Sequence, residues 1–219
     1  MSRTIRLATT CLRGQLRGTP EQACESLGAT LSAIWPQQPD IVCLPETFAT
    51  GGQGGRATDH GQPVPGPVTD YFAALAREHR SYIICPLLRC EDGKVFNSAV
   101  ILDRDGEIAG IYNKAHPVTC VSDLSEMEKG VTPGTEDVPV FDLDCGRIGI
   151  QICFDRVPRD LGLPGRQGRR IGVLAVRLRR RRALGCLRPD AQLLRGVCSL
   201  QHPLTAGESP GRGAGPDRA

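Results

Sequence analysis

The last 65 of the 219 residues contain no tryptophan, tyrosine, phenylalanine or lysine. All nine aromatic residues lie at or before Phe154. Residues 1–154 hold 13 Lys and Arg against 19 Asp and Glu, a balance of −6, whereas residues 155–219 hold 14 Arg against 5 acidic residues, a balance of +9. The later segment also has ten glycines and six prolines, a composition that is poorly suited to a packed core. The length suits one domain, but only residues 1–154 have the composition of one.

Long apolar runs and paired cysteine motifs are also missing. No run approaches the ~18 residues of a membrane-spanning helix, and the opening MSRTIRLATTCLRG lacks the unbroken apolar stretch of a secretory signal. The ten cysteines include no C-x-x-C pair and the four histidines lie far apart, which argues against a zinc site. We therefore expect reduced thiols, a cytoplasmic location, no metal and no membrane association.

The pattern of apolar residues before residue 156 is typical of an α/β protein. Helices are expected over 20–35, which Pro20 opens, and over 67–80. Apolar runs predict strands at 4–10, 40–44, 81–88, 96–103, 107–114, 138–143 and 147–153. Asp92-Gly93 and Asp105-Gly106 are typical hairpin turns. From Arg156 this pattern stops, and the Arg/Gly/Pro-rich segment 156–219 is expected to be an irregular, disordered basic tail.

Three predicted strands end in residues that could carry chemistry. Glu46 follows DIVCLP, Lys114 closes EIAGIYNK and Cys153 closes RIGIQIC. Strand ends are where open α/β sheets build their sites. A cysteine can attack a carbonyl or nitrile carbon, a glutamate can take the thiol proton, and a lysine can stabilise the oxyanion and favour the thiolate. Each residue alone has an ordinary structural role: a core thiol, a loop acid or an edge charge.

Four short sequence motifs around these residues make the functional interpretation specific. They are LPETF at 44–48, YNKAHP at 112–117, TPG at 132–134 and GRIGIQICFD at 146–155. Together they resemble the nitrilase superfamily, the carbon–nitrogen hydrolases, over residues 4–155. The resemblance implies an α-β-β-α sandwich, of which this chain holds the N-terminal part, and no cofactor. We therefore interpret residues 1–155 as an incomplete carbon–nitrogen hydrolase domain.

The resemblance also implies roles for individual residues. Glu46 matches the general base, Lys114 the oxyanion-stabilising lysine and Cys153 the nucleophile, and the backbone N–H of Phe154 would be a second oxyanion donor. An assisting glutamate matches either Glu128 or Glu126, and the sequence does not choose between them. His116 is a further pocket candidate, with a turn residue before Pro117 as an equal alternative.

The implied reaction proceeds through a thioester on the cysteine. The substrate would be a small aliphatic amide, an N-carbamoyl amine or a nitrile, with the first two preferred. Members of the family commonly form homo-oligomers. Two other interpretations stay open: a non-catalytic fragment that acts through subunit contacts, and nucleic-acid binding through the run RLRRRR at 177–182, which we regard as the weaker one because no aromatics interleave for stacking.

The family pattern is lost immediately after the nucleophile. The family continues roughly C-x-D-x-x-x-P-E and later has a W-P-S word, whereas this chain has CFDRVPRDLGLPGRQGRR. Reading residues 156–177 one nucleotide later, with permitted codons, gives AFPETWAYLAGKGAELVFWPSA, which has the family's pattern. We therefore hypothesise a frameshift after about Asp155. An apolar sheet face left without its partner, poor solubility and little or no amidase activity are the expected consequences.

Overall fold

The computed structural model describes residues 5–10, 18–50, 53–120, 125–135 and 139–156, and the backbone of residues 171–175 and 192–194. Its strands are β1 (Leu7–Thr9), β2 (Ile41–Cys43), β3 (Tyr82–Glu91), β4 (Lys94–Leu102), β5 (Ile108–Asn113), β6 (Val140–Leu143), β7 (Gly146–Ile152), β8 (Ile171–Ala175) and β9 (Gln192–Leu194). Its α-helices are α1 (Pro20–Leu31) and α2 (Pro67–His79). Every strand and helix predicted before residue 156 is present, with bounds that differ by a few residues.

Two sheets form the centre of the fold. The larger sheet has the order β5-β4-β3-β2-β1-β9; β1, β2 and β3 are parallel, and β3, β4 and β5 are antiparallel. The hairpin between β3 and β4 turns at Asp92 and Gly93, both of which have positive φ, as a two-residue hairpin requires. The smaller sheet has the order β6-β7-β8, with β7 antiparallel to β6 and parallel to β8.

Both helices pack on one face of the larger sheet. The Thr19 side chain caps α1 by accepting a hydrogen bond from the backbone of Gln22, and Pro20 occupies the first turn, as the sequence predicts. The buried positions of α1 and α2 recur at helical spacing, so each helix turns one apolar stripe to the sheet. Leu27 of α1 and Phe72 of α2 are fully buried in this layer.

The other face of the larger sheet packs against the smaller sheet. Along β3, Ile83 and Cys85 belong to the core beneath the helices, while Ile84 belongs to the core between the sheets. Ile148 and Ile150 of β7 enter the same inter-sheet core and are fully buried. The described residues therefore form helix, sheet and sheet layers, which are three of the four layers of the expected sandwich.

Two findings after and around residue 156 differ from the sequence-based expectations. The segment expected to be irregular contains β8 and β9, because the apolar run at 171–175 can pair with β7 and the short run at 192–194 with β1. The uncovered apolar sheet face is also not found in the described part, since β6 and β7 cover the inter-sheet core. There the large apolar side chains that are exposed are Ile108, Val118 and Met127. The arginine run 177–182 lies outside the described residues.

Neither α-helix within the described ranges is long and apolar enough to cross a membrane. The seven described cysteines are free thiols: Cys24, Cys43, Cys85, Cys90, Cys120, Cys145 and Cys153.

Candidate active site

The ends of three strands bring Glu46, Lys114 and Cys153 into one cavity. Glu46 lies just after β2, Lys114 directly after β5 and Cys153 directly after β7. All three line a cavity of about 690 Å³. Residues that are 107 positions apart in the chain are thus neighbours because their strands end on the same side of the two packed sheets.

Lys114 is an ammonium buried between two carboxylates. Its side chain is 1% exposed, and its Nζ lies 3.1 Å from Glu46 Oε1 and also donates to Glu128 Oε1. Burial by itself lowers the pKa of Lys114, but the charges and hydrogen bonds of the two glutamates outweigh it, so the pKa is raised. The lysine is therefore held in its charged form.

The two glutamates that the sequence could not separate lie in different surroundings. Glu128 accepts from Lys114 and from the backbone N–H of Val118 at 3.0 Å, so it belongs to the Lys114 cluster. Glu126 forms an ion pair with Arg56 and is not among the residues that line the cavity. Of the two, only Glu128 contacts a proposed catalytic side chain.

Lys114 is also held through its backbone. Its N–H donates to the carbonyl of Asn97 at 2.8 Å, and its carbonyl accepts from Gly134 N–H at 2.8 Å. A Cβ at Gly134 would lie 2.4 Å from the Asn113 carbonyl oxygen, so only glycine permits this close approach. The glycine of the TPG motif therefore helps to fix the backbone position of Lys114.

Cys153 occupies a strained position at the start of a 3-10 turn, Cys153–Arg156. Its φ is +47°, a left-handed value that is uncommon for a residue with a side chain. Phe154 follows in the same turn, so its backbone N–H lies next to the nucleophile in the chain. The turn is held by Asp155, whose carboxylate accepts from the backbone N–H of Ile152 at 2.9 Å.

The resting thiol is held in its protonated form. Burial and the negative charge of Glu46 raise the pKa of Cys153, and Lys114 opposes them without cancelling them. A hydrogen bond to Glu46 and the charge of Glu128 also raise it. Lys114 does favour the thiolate, as expected, but burial and the two carboxylates together have the larger effect on the pKa.

Strained backbone is concentrated around this cavity. Thr47, Glu128 and Lys129 have φ values of +47°, +42° and +60°, and with Cys153 they are four cavity residues in the left-handed region. Such conformations cost energy and persist where the surrounding structure enforces them, which is common at functional sites.

His116 lies beside this site but outside the cavity lining. Its backbone N–H donates to Asp155 Oδ1 at 2.9 Å, and its ring Nδ1 lies 3.3 Å from the same oxygen. Asp155 also accepts from the Tyr112 hydroxyl at 2.8 Å. His116 therefore tethers the loop that carries Lys114 to the turn that carries Cys153, which favours the turn interpretation over the pocket interpretation.

Asn97 is a site residue that the sequence reasoning missed. It lies within β4, is 1% exposed, and its Nδ2 donates to Glu46 Oε1 at 2.9 Å and to Glu128 Oε2 at 3.1 Å. The available signal was an asparagine inside the apolar run VFNSAVIL, where a polar residue needs a buried partner.

The outer part of the cavity carries basic side chains. Arg56, His60 and Lys129 line it together with Thr50 and Gln53. Within the described ranges no three His, Cys, Asp or Glu residues are grouped as ligands for a metal ion.

Comparison with known sequences identifies a family. The profile of the carbon-nitrogen hydrolase family matches residues 19–165, which is more than half of the chain and extends past Asp155. The beta-ureidopropionase of Arabidopsis thaliana is 32% identical over 124 residues, covering 53% of this chain and 30% of that protein. The human omega-amidase NIT2 is 29% identical over 119 residues, covering 52% of this chain and 43% of that protein. The chain thus spans less than half the length of either relative.

Solved structures agree on the fold. Nit3 of Saccharomyces cerevisiae, a nitrilase-superfamily member, superimposes with a TM-score of 0.66 at 20% identity over 80% of this chain and 65% of that chain. An amidase from Nesterenkonia sp. superimposes with a TM-score of 0.67 at 15% identity over 80% and 66%. At these identities the likeness is one of fold.

Proposed function

Because the chain belongs to the carbon–nitrogen hydrolase family, we propose that its site hydrolyses non-peptide carbon–nitrogen bonds of small molecules through a thioester on Cys153. The observation that supports this most is the cavity that Glu46, Lys114 and Cys153 line together, in which the Glu46 carboxylate is hydrogen-bonded to the buried Lys114. A nucleophile, a base and a cation in one cavity are the minimum set for such a reaction. We place the protein in the cytoplasm, with which the free thiols agree.

In the first half-reaction the thiol must lose its proton as it attacks. Its raised pKa makes a base necessary, and the Glu46 carboxylate, which lines the same cavity, takes the proton. The Sγ atom bonds to the substrate carbon, and the developing oxyanion is stabilised by Lys114 Nζ and the backbone N–H of Phe154. Collapse breaks the carbon–nitrogen bond, and Glu46 passes the proton to the departing ammonia or amine. For a nitrile, a water addition must come before the nitrogen can leave.

In the second half-reaction water replaces the amine. Glu46, ionised again, takes a proton from the water as its oxygen attacks the thioester carbon. The C–S bond breaks, the Cys153 sulfur recovers a proton and the carboxylic acid leaves. Glu128 does not exchange a proton in this scheme; it shares Lys114 with Glu46 and keeps the ammonium in place.

The substrate class that fits best is an amide or N-carbamoyl compound with a carboxylate at its far end. Arg56, His60 and Lys129 line the outer cavity, where a carboxylate would be attracted while the amide reaches Cys153. The names of the two relatives, a beta-ureidopropionase and an omega-amidase, refer to reactions on such compounds. Comparing kcat/KM for an ω-amidated acid and for its uncharged methyl ester tests this: equal values would contradict it.

We also propose that the chain is out of frame after about Asp155. Every aromatic residue lies at or before Phe154, and residues 155–219 hold fourteen arginines but no lysine. Resequencing the gene across the codons for 153–156 tests this directly. A confirmed frame whose codons do not permit the family pattern would overturn it.

The thioester itself is the decisive test of the reaction. Mixing the protein with an amide substrate, quenching in acid and mapping peptides by mass spectrometry should find the acyl mass on Cys153. The Cys153→Ala variant should lose the adduct, and the matched Cys90→Ser variant, which changes an exposed thiol outside the cavity, should retain it. An acyl mass on another residue in Cys153→Ala would contradict the assignment.

A further inference from the structure

Asn97 contacts three members of the site at once. Its backbone carbonyl accepts from Lys114 N–H at 2.8 Å, and its Nδ2 donates to one oxygen of each glutamate: Glu46 Oε1 at 2.9 Å and Glu128 Oε2 at 3.1 Å. Each of the two hydrogens on Nδ2 thereby forms a hydrogen bond with a different carboxylate. No other side-chain amide in the described part of the chain has such partners.

The amide adopts this orientation at a cost. Asn97 Oδ1 is buried and has no hydrogen-bond partner within the described structure, and an unsatisfied buried acceptor is unfavourable. Rotating the amide by half a turn would place Oδ1 against two carboxylate oxygens, which is worse. The charge-assisted bonds from Nδ2 therefore decide the orientation, and an apolar residue would be the ordinary occupant of this buried strand position.

The carboxylate oxygens of Glu46 and Glu128 differ in which donors they accept from. Glu128 uses Oε1 for Lys114 and Oε2 for Asn97, so the two donors clamp its carboxylate. Glu46 uses the same oxygen, Oε1, for both Lys114 and Asn97. Two donors on Oε1 fix the rotation of the Glu46 carboxylate, and this rotation determines where Oε2 points.

We propose that Asn97 is a positioning residue that holds the Glu46 carboxylate with Oε2 directed at the Cys153 thiol, while it keeps Glu128 on the far side of Lys114. This rests on the proposed role of Glu46 as the base for Cys153. Asn97 acts through Glu46: it transfers no proton and bonds to no reacting atom. Without the amide of Asn97, Glu46 loses one of the two donors on Oε1 and can turn away from the thiol.

Alkylation of Cys153 at varied pH in the full chain tests this without requiring turnover. The charged groups that face Cys153 are Glu46, Lys114 and Glu128. Because Glu46 raises the pKa of the thiol through its charge and its hydrogen bond, Glu46→Gln should move the pH midpoint of iodoacetamide alkylation to lower values. Asn97→Leu, which removes the donors and keeps the number of side-chain heavy atoms, should move it the same way by a smaller amount, because the charge of Glu46 stays near the thiol. Asn97→Ala serves as a second variant with the same expected shift.

The controls separate positioning from general disruption. Ser98→Ala removes a buried polar group from the neighbouring position of β4, where the hydroxyl bonds Arg89 and Asn113 rather than the site, and should leave the midpoint unchanged. The exposed Cys90 is the reference for alkylation, and the fully buried Cys43 must stay unlabelled in a folded variant.

A double variant makes the test decisive. If Asn97 acts mainly through Glu46, adding Asn97→Leu to Glu46→Gln should produce a smaller shift than Asn97→Leu produces alone, whereas a purely structural role would add the same shift again. Suppose that Glu46→Gln lowers the midpoint but Asn97→Leu and Asn97→Ala both leave it unchanged. This result overturns the inference about Asn97 and leaves the proposed function standing. A midpoint that Glu46→Gln itself leaves unchanged overturns the proposed coupling of Glu46 and Cys153, and with it the proposed function.

Discussion

Residues 1–155 and residues 156–219 differ in almost every respect that bears on function. The first region holds all nine aromatics, an excess of acidic residues and every side chain of the candidate site; the second has fourteen arginines and no lysine. Cys153 lies two residues before the boundary, at the end of β7, whose neighbours are β6 from the first region and β8 from the second. The side chains of the candidate site therefore all belong to the first region, whereas the sheet that positions Cys153 takes one strand, β8, from the second.

The largest effect should come from replacing the second region. We expect a chain in which residues 156–200 follow the shifted frame, beginning AFPETW, to hydrolyse simple amides at least about 100-fold faster than the chain as it stands. Misplacing a reacting group by about 1 Å already costs this much, and the restored segment supplies new apolar residues for the core. Steady-state ammonia release and a cooperative thermal transition are the measurements.

Two outcomes would contradict the proposed difference between the two regions. The same replacement combined with Cys153→Ala must remain inactive, since otherwise the gain does not come from the proposed nucleophile. A chain as it stands that is soluble, melts cooperatively and hydrolyses amides as fast as the restored one would show that the first region is sufficient and that the frame hypothesis is unnecessary.

The sequence predicted the first region well because its signals are local. Pro20 begins α1, and the Asp92-Gly93 pair closes a hairpin. The choice between Glu126 and Glu128 could not be made, because it depends on which side chain faces Lys114 across a loop with two consecutive left-handed residues. Asn97 was missed for a related reason: its partners are 51 and 31 positions away.

Within the first region, Lys114 should matter most. Lys114→Gln leaves Glu46 and Glu128 facing each other in a buried site, so we expect a loss of roughly 3–5 kcal/mol in the free energy of unfolding. Loss of the oxyanion donor should slow acylation of Cys153 by about 100-fold or more. Urea denaturation and the quenched acylation assay measure the two effects.

Lys94→Gln is the matched control, because Lys94 is an exposed lysine at the start of β4. It should leave both quantities close to those of the unmodified chain. Equal effects of the two substitutions would mean that removing any lysine, rather than the buried ammonium, produces the change.

The smallest effect should come from Glu128→Gln, and it should distinguish the role of Glu128 from that of Glu126. Glu128→Gln keeps the size of the side chain but removes a charge that holds Lys114 and that raises the pKa of Cys153. We expect acylation to slow by about 10-fold, and the alkylation midpoint of Cys153 to move to lower pH by less than in Glu46→Gln, since the charge of Glu46 has the larger effect. Glu126→Gln breaks the ion pair with the exposed Arg56 and should change neither quantity. If Glu126→Gln shifts the midpoint as much as Glu128→Gln, then the fields of both acids reach Cys153, and the assignment of Glu128 as the specific partner of Lys114 fails.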